Sequence, residues 1–255
     1  MSNKKFTILT ANYNAGRYLE EWAESILVQK YKFLEVIFVE DHSTDGSLRI
    51  INKISGKFKE KNIDFKLIHP SKKLHCGSAY NLALRKATGS YFGILDSDDA
   101  LENFACSAIV DIYEKNTEIA WIYTQYNKYN RRMTRIMKKG FCHIPKNKSS
   151  ILKNEKKHIN TYGHWRTFSD RILSNKNLFG RGLKCCIDKH LGIRLEEEGI
   201  GMFVDRCFYK YRTRLKGESS IVHKYDLKRN REKVVQDAEK RRKGKKVHPI
   251  LKYKG

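Results

Sequence analysis

Three carboxylates lie within four residues in the segment LDSDD, at Asp96, Asp98 and Asp99. Carboxylates this close repel one another unless a cation or an exposed loop relieves the repulsion. A hard divalent ion, bound by one or two carboxylates and completed by substrate phosphates, fits such a segment. An isolated Asp-x-Asp is more often a solvated turn that caps the next helix. The segment alone is therefore consistent with a metal-binding loop or with a helix cap.

Two other segments carry short polar side chains of the kind that recognise a base or a ribose. The candidate contacts in them are Thr10, Asn12, Asn14, Asp41 and Ser43. An Asp-rich junction between a strand and a helix is as often a helix cap as a binding site. Neither segment establishes a site by itself, so the elements that position them must be considered.

Short β-rich runs in the first half of the chain end at these polar residues. The runs are residues 6–11, 34–39, 65–70 and 91–95. Helix-like runs with apolar residues three and four positions apart separate them. The last run is nearly all apolar, as in a strand covered on both faces. The alternation predicts an α/β fold with a mostly parallel sheet and helices on both faces. Ligands bind beyond the carboxyl ends of such strands, where Asn12, Asp41 and Asp96 are expected.

The later chain is more basic and less regular. Residues 128–157 contain Glu155 as their only acid, and we expect a mobile loop or an insertion there. Residues 224–255 contain few apolar anchors and many cations, which predicts a charged helix or a loose tail.

The whole chain has 255 residues and a formal net charge of +24. This charge favours anionic partners such as nucleic acid, acidic lipid headgroups or phosphorylated small molecules. No apolar stretch approaches the length of a membrane span or a signal peptide, and the six cysteines form no Cys-x-x-Cys pair. We therefore expect a soluble cytoplasmic protein with reduced thiols.

In order and spacing, several segments resemble the nucleotide-sugar-binding half of family 2 glycosyltransferases. They are residues 8–14, 18–19, 29–31, 36–47, 79–81 and 89–99. The resemblance is dense over about the first 125 residues and looser to about residue 222. It implies a GT-A domain over residues 1–222, with a nucleotide-sugar half at 1–125 and an acceptor half at 126–222. The basic insertion lies in the acceptor half, and residues 223–255 are a basic extension.

The resemblance also implies roles for matched residues of the first half. Asp41 would contact the nucleotide base, and Asp96 the ribose. Asp98 would bind a divalent metal, Mn²⁺ or Mg²⁺, on the diphosphate, with Asp99 as a supporting carboxylate. Asn81 lies in a further matched segment and is a candidate donor contact.

The acceptor half is matched by shorter segments. The segment with His164 and Arg166 is similar to one that some relatives place beside the acceptor, although a packed Trp-Phe pair with solvated polar neighbours is the alternative. Asp188 precedes an arginine-leucine pair by six residues, as in the acidic helix of the family, and is the inferred general base. Asp205 is the rival base, and His223 is a late histidine that could reach the metal.

The implied reaction transfers a sugar, with inversion, from a nucleoside diphosphate sugar to an acceptor hydroxyl of a glycan or glycolipid. Uridine is the expected base, and the positive charge allows peripheral contact with an anionic membrane face. One alternative is a basic nucleic-acid-binding protein, because tyrosines and cations interleave over residues 123–132. Another is a sugar nucleotidyltransferase, although residues 12–17 are poor in the glycines of a phosphate loop.

Overall fold

Four parallel strands form one side of the sheet. The computed structural model describes residues 3–145, 150–156, 161–173, 177–183, 185–214, 224–245 and 247–255. The four strands are β1 (Phe6–Asn12), β2 (Leu34–Glu40), β3 (Asp64–Ile68) and β4 (Tyr91–Ile94). They lie in the order β4-β1-β2-β3. Every residue of β2 is buried, as expected for a strand covered on both faces.

Three helices connect these strands, namely α1 (Leu19–Leu27), α2 (Ser47–Glu60) and α3 (Cys76–Lys86). In α2 the buried residues Ile51, Ile54 and Phe58 recur at helical spacing and face the core. The alternation of strand and helix confirms the α/β fold and the parallel arrangement that the sequence predicts.

The second half of the chain continues the same sheet with mixed strand directions. Its strands are β5 (Ala100–Leu101), β6 (Trp121–Tyr129), β7 (Ile136–Lys139), β8 (Arg166–Ser169), β9 (Gly201–Arg212) and β10 (Ile250–Lys252). Its helices are α4 (Ala105–Lys115), α5 (Ile151–Lys156), α6 (Ile187–Glu198) and α7 (Lys224–Arg242). Strand β8 runs antiparallel to both β4 and β6 and so joins the two halves. Beyond it, β6, β9 and β10 are parallel.

Aromatic side chains fill the seam between β1, β4 and β8. Trp165 packs against Phe6 with ring centroids 5.5 Å apart, and Phe92 stacks on Phe168 at 5.3 Å. Gly93 of β4 lies between them, and a Cβ atom added there would be 2.6 Å from the Trp165 ring. A glycine is therefore required for the close packing of the two halves at this seam.

Two expectations about the later chain can be compared with the structure, and in each it favours one alternative in part. Within residues 128–157, the expected mobile loop contains β7, which pairs with the end of β6 as a hairpin, and the helix α5. Residues 146–149 and 157 lie outside the described residues. In the basic extension, α7 is the charged helix, and β10 is a sheet strand rather than a loose tail. Val234 and Ala238 of α7 are buried in the common core, so the extension packs with the rest of the fold.

No helix among the described residues is long and apolar enough to cross a bilayer.

Candidate functional site

A cavity of about 820 Å³ opens at the carboxyl ends of β1, β2 and β4. Its carboxyl side chains are Asp41, Asp96, Asp98 and Asp99, and its cationic side chains are Lys73, Lys128 and Arg214. Asn12, Tyr80 and Tyr211 also line it. The cavity thus brings together the acidic strand ends of the first half and cations from both halves. An anionic ligand that carries a metal ion suits such a mixture of charges.

Asp41 forms one end of the cavity and is almost fully buried. Its two carboxylate oxygens accept hydrogen bonds from the backbone N–H groups of Leu74 and His75, at 2.6 and 2.8 Å. These bonds fix the loop that precedes α3 against the end of β2. Asp41 therefore has a defined orientation and still lines the cavity.

Asn12 is held beside Asp41 by a residue that the sequence analysis missed. The Nδ2 atom of Asn12 donates to the buried Glu40 carboxylate at 2.5 Å and to the Ser43 hydroxyl at 3.2 Å. Glu40 also accepts a hydrogen bond from the Ser43 backbone N–H at 2.7 Å. An acid directly after the apolar run at residues 36–39 was the available signal, because a buried carboxylate needs several donors.

Thr10 and Asn81, two of the predicted ligand contacts, are not among the residues that line the cavity. The Thr10 hydroxyl is fully buried and donates to the Leu95 carbonyl at 2.8 Å. Asn81 is also buried and exchanges two hydrogen bonds with the backbone of Phe179, at 2.7 and 3.0 Å. The polar atoms of both side chains form hydrogen bonds within the protein. These positions therefore do not favour direct contact with a ligand in the cavity.

Asn14 follows β1 and Ser43 follows β2, and the two residues meet at the neighbouring strand ends. The Asn14 backbone N–H donates to the Ser43 hydroxyl at 2.9 Å, and the Asn14 side-chain oxygen accepts from the Thr44 N–H at 2.8 Å. Asn14 has a φ of 55°, a left-handed conformation that asparagine tolerates better than most residues. The pair therefore fixes the rim of the site.

Asp96 is the carboxylate at the centre of the cavity wall. It accepts a hydrogen bond from the Tyr80 hydroxyl at 2.7 Å and lies 3.5 Å from the Arg166 guanidinium. Burial raises the pKa of Asp96, but the charge of Arg166 and the hydrogen bond from the Tyr80 hydroxyl lower it below its ordinary value. Asp96 is therefore an anion at neutral pH.

Asp99 is buried at the other end of the same loop. It accepts hydrogen bonds from the Tyr209 hydroxyl at 2.8 Å and from the Arg212 backbone N–H at 2.7 Å. Burial, together with the charges of Asp98 and Asp96, raises the pKa of Asp99 well above its ordinary value. A cation placed beside these acids would relieve the repulsion between them.

Asp98 has a different environment from its neighbours. Its carboxylate is paired with the guanidinium of Arg214, and its backbone carbonyl accepts a hydrogen bond from Arg212 Nε at 2.6 Å. The described residues with ligand atoms grouped for a metal ion are instead Asp96, Asp99 and His164, whose atoms lie within 4.8 Å of one another. The predicted metal ligand Asp98 thus already has a cationic partner.

His164 completes this cluster from the second half of the chain. Its ring stacks on Tyr209 at 4.6 Å, and its Nδ1 atom accepts a hydrogen bond from Arg166 at 2.8 Å. Burial, followed by the charge of Arg166, lowers the pKa of His164 to about 3. The imidazole is therefore neutral, which is the form that binds metals. Carboxylate oxygens with one imidazole nitrogen fit a hard or borderline ion such as Mg²⁺ or Mn²⁺.

The two candidate bases occupy different surroundings. Asp188 lies exposed in the first turn of α6, and after burial and Asp96 its charge adds to the raised pKa of Cys76 on the cavity wall. Asp205 is exposed on β9 and forms an ion pair with Lys139 at 2.8 Å. Asp188 thus interacts with a group at the site, whereas Asp205 pairs with the hairpin strand β7. His223 lies outside the described residues.

Sequence comparisons place the chain among enzymes that handle sugars. A family model described as glycosyl transferase family 2 matches residues 7–174. The chondroitin synthase of Escherichia coli is 29% identical over 233 residues, which is 89% of this chain and 31% of that protein. The hyaluronan synthase of Pasteurella multocida is 27% identical over 232 residues, which is 91% of this chain and 22% of that protein. The chain therefore spans about a third or less of the length of these relatives.

Solved structures share the fold at lower identity. TarS of Staphylococcus aureus, residues 1–349 in complex with UDP-GlcNAc, has a TM-score of 0.69 and 18% identity, covering 92% of this chain and 66% of that chain. The mannosyltransferase PcManGT of Pyrobaculum calidifontis, in complex with GDP-Man and Mn²⁺, has a TM-score of 0.62 and 15% identity, covering 98% and 67%. This likeness confirms the GT-A fold that the sequence resemblance implied.

Proposed function

The chain belongs to glycosyltransferase family 2, and from this premise we propose that it transfers a sugar from a nucleoside diphosphate sugar to an acceptor hydroxyl with inversion. The observation that carries the proposal is the cavity at the carboxyl ends of the parallel strands, where the acidic loop meets cations from both halves. Open α/β sheets bind their ligands at this edge.

We propose a uridine diphosphate sugar as the donor. Asp41 and Asn12, at one end of the cavity, would face the base, and Asp96 would face the ribose. Lys73, Lys128 and Arg214 supply positive charge around the space left for the diphosphate. The Staphylococcus aureus neighbour in complex with UDP-GlcNAc supports uridine as the base.

Asp96, Asp99 and His164 would hold a divalent ion, Mn²⁺ or Mg²⁺. An ion bound there would stabilise the negative charge that develops on the departing diphosphate. Arg166 keeps Asp96 ionised and His164 neutral. Because Arg166 also donates to His164 Nδ1, that nitrogen would join the ion only after this hydrogen bond is released. Because Asp98 is paired with Arg214, Asp98 would join the ion only after that pair opens.

Asp188 is the proposed general base. Its carboxylate accepts the proton of the acceptor hydroxyl while the hydroxyl oxygen attacks the anomeric carbon and the nucleoside diphosphate leaves from the opposite face. A single displacement of this kind inverts the configuration and needs no covalent intermediate. The acceptor is proposed to be a glycan or a glycolipid.

Donor binding is the first test, because transfer is silent when the true acceptor is absent. The unfolding temperature should be measured with UDP, GDP, CDP and TDP, each with and without Mn²⁺. A ligand that binds only the native state at a hundredfold excess over its Kd stabilises it by about 2.7 kcal/mol. We expect a shift with UDP that requires Mn²⁺ and is lost in Asp96→Asn.

Asp111→Asn is the matched control, because Asp111 is an exposed aspartate of α4. It should respond to UDP as the wild type does. If no nucleotide stabilises the wild type, or if Asp96→Asn responds like the wild type, the proposed donor site is wrong. Salt-sensitive binding to generic DNA that survives Asp96→Asn would favour the nucleic-acid alternative instead.

A further inference from the structure

Residues 128–141, which we call the basic hairpin, comprise the end of β6, the turn, β7 and Phe141. They contain Lys128, Arg131, Arg132, Arg135, Lys138 and Lys139 and no acidic residue. Lys139 is paired with Asp205, while Arg132, Arg135 and Lys138 are exposed. The hairpin thus presents a concentrated positive charge to its surroundings.

Apolar side chains lie exposed among these cations. Ile136 and Met137 are each 51% exposed, the highest value among the large apolar side chains of the described residues, and Phe141 is 48% exposed. Single exposed apolar residues are ordinary on a protein surface. Three of them within six residues, surrounded by cations, indicate an interaction surface.

The basic hairpin lies next to the cavity. Lys138 of β7 is directly opposite Lys128 of β6, and Lys128 lines the cavity. Phe141 packs edge-on against Tyr126 at 5.9 Å, and Tyr126 packs edge-on against His164 at 5.6 Å. A partner bound to the hairpin would therefore lie beside the entrance to the proposed active site.

We propose that the basic hairpin docks on an anionic lipid surface. Its cations would lie at the phosphate headgroups. Ile136 and Met137 are consecutive in β7 and lie on opposite faces of the hairpin, so the hairpin would enter the boundary with the acyl chains edge-on, together with Phe141. A polyanion would satisfy the cations but leave the three apolar side chains in water, so the bilayer fits both observations. The docking surface itself does not depend on the proposed function. Docking would also turn the cavity toward an acceptor held in the membrane, and this second step rests on the proposed function.

The contribution of the cations is tested with the full chain and vesicles in a sedimentation assay. The vesicles are phosphatidylcholine alone, or equal amounts of phosphatidylcholine and phosphatidylglycerol. We expect binding to the second kind only. The triple variant Arg132→Gln, Arg135→Gln, Lys138→Gln should bind about a hundredfold more weakly, because each cation near such a surface contributes about 1 kcal/mol.

A matched control removes the same charge elsewhere. Lys228→Gln, Arg229→Gln, Lys233→Gln neutralises three exposed cations of α7. It should bind vesicles within about twofold of the wild type, because the hairpin is intact. Equal loss in both triple variants would show that net charge alone drives binding and would overturn the proposal.

Entry into the bilayer is tested with Met137→Trp. The three native tryptophans are fully buried, so a change in the emission of the protein on binding would come from position 137. We expect a shift to shorter wavelength with the anionic vesicles and none with dextran sulfate, a polyanion without acyl chains. Equal affinity for dextran sulfate, with no spectral shift on vesicles, would overturn the bilayer in favour of a polyanion.

Failure of this proposal is distinguishable from failure of the proposed function. The hairpin variants should keep the wild-type shift in unfolding temperature with UDP and Mn²⁺, because the substituted residues do not line the cavity. Vesicle binding without any effect of nucleotide on the unfolding temperature would contradict the proposed donor site and leave the docking surface in place. An effect of nucleotide on the unfolding temperature without vesicle binding would contradict the docking surface and leave the donor site in place.

Discussion

The two acidic strand ends of the cavity are stabilised by different parts of the chain. Asp41, at the end of β2, accepts hydrogen bonds from Leu74 and His75, which lie 33 and 34 residues further on. Asp99, in the loop after β4, is bonded by Tyr209 and Arg212, which lie 110 and 113 residues further on. The first strand end is therefore completed within the parallel half of the sheet, and the second needs the mixed half.

This difference separates the positions that hold a ligand from the positions that set the charge around it. The parallel half supplies the carboxylates, and the mixed half supplies most of the groups that control them, including Arg166, Arg212 and Arg214. Changes in the mixed half should therefore alter the charge of the strand-end carboxylates that lie in the parallel half.

The largest expected effect is on catalysis by the mixed half. Asp188→Asn should lower the rate of sugar transfer about a hundredfold to ten-thousandfold, the usual contribution of a general base. The measurement is the turnover of a donor and acceptor pair, with donor binding monitored separately and expected to remain. Asp205→Asn is the matched control and should stay near the wild-type rate, because Asp205 pairs with Lys139 at the surface. A larger loss in Asp205→Asn would exchange the two assignments.

The next largest effect concerns the buried link between the halves. The Arg212 side chain is 2% exposed and bonds the Asp98 and Arg131 carbonyls and the Glu21 carboxylate. Arg212→Gln should lower the free energy of unfolding by about 2 to 4 kcal/mol, because the buried Asp98 carbonyl loses a charged donor, whereas the half-exposed Glu21 carboxylate regains water. Urea denaturation measures this loss.

Arg85→Gln provides the comparison for Arg212→Gln. Arg85 is exposed and bonds Asn177 at 3.3 Å. Its replacement should change the free energy of unfolding by less than about 1 kcal/mol. Similar values for the two variants would contradict a special role for Arg212 in joining the halves.

The third prediction concerns how the free energy of unfolding depends on pH through one titratable residue in each half. Burial, followed by the charge of Arg241, lowers the pKa of His190 in the mixed half to about 4 from its ordinary 6.5. Between these values the unfolded chain binds a proton that the folded chain does not, so stability falls as the pH falls from 6.5 toward 4.

Glu35 of the parallel half should respond only in stronger acid. Glu35 is buried, which raises its pKa, but hydrogen bonds from Lys66, Thr7 and Thr88 lower the pKa below its ordinary 4.5. Its stabilising contribution is therefore present above pH 4.5 and is lost below it. His190→Gln should flatten the earlier fall by about 1 to 3 kcal/mol, measured by urea denaturation across the pH range. An unchanged slope in His190→Gln would contradict the prediction.

The smallest expected effects concern two glycines. Gly93→Ala at the seam should cost about 1 to 3 kcal/mol, because the new Cβ would lie 2.6 Å from the Trp165 ring. Gly56→Ala in α2 should instead stabilise by about 0.5 to 1 kcal/mol, because nothing lies within 4 Å of the new atom. Thermal unfolding of the two variants gives both signs. A stabilising Gly93→Ala would show that the seam has spare room.

The strands of the parallel half were predictable because each buried strand corresponds to a run of mostly apolar residues in the sequence. The runs at residues 6–11 and 34–39 differ by one residue from β1 and β2. Both strands are buried along almost their whole length, which produces stretches that are mostly apolar. Strand β7 was missed because all four of its side chains are exposed, so neither alternation nor an apolar run marks it.

The candidate site was predictable to the same extent. Asp96 directly follows an apolar run and Asp41 follows one after a single residue, and the topology of a parallel sheet brings such strand ends together. The partner of Asp98 was not predictable, because Arg214 lies 116 residues away in sequence and reaches it only through the path of β9. Local patterns indicate where a carboxylate lies, and tertiary contacts decide what neutralises it.

The near-ultraviolet signal of Tyr209 can report whether a cation occupies the candidate cluster. Its hydroxyl donates to Asp99 and accepts from the Asp96 N–H, and its ring stacks on His164. One phenol therefore touches all three members of the cluster. The near-ultraviolet circular dichroism of a tyrosine depends on its packing and on the charge beside its oxygen. An ion entering the cluster should change the Tyr209 band, and Tyr209→Phe should remove that change, so occupancy can be followed without any substrate.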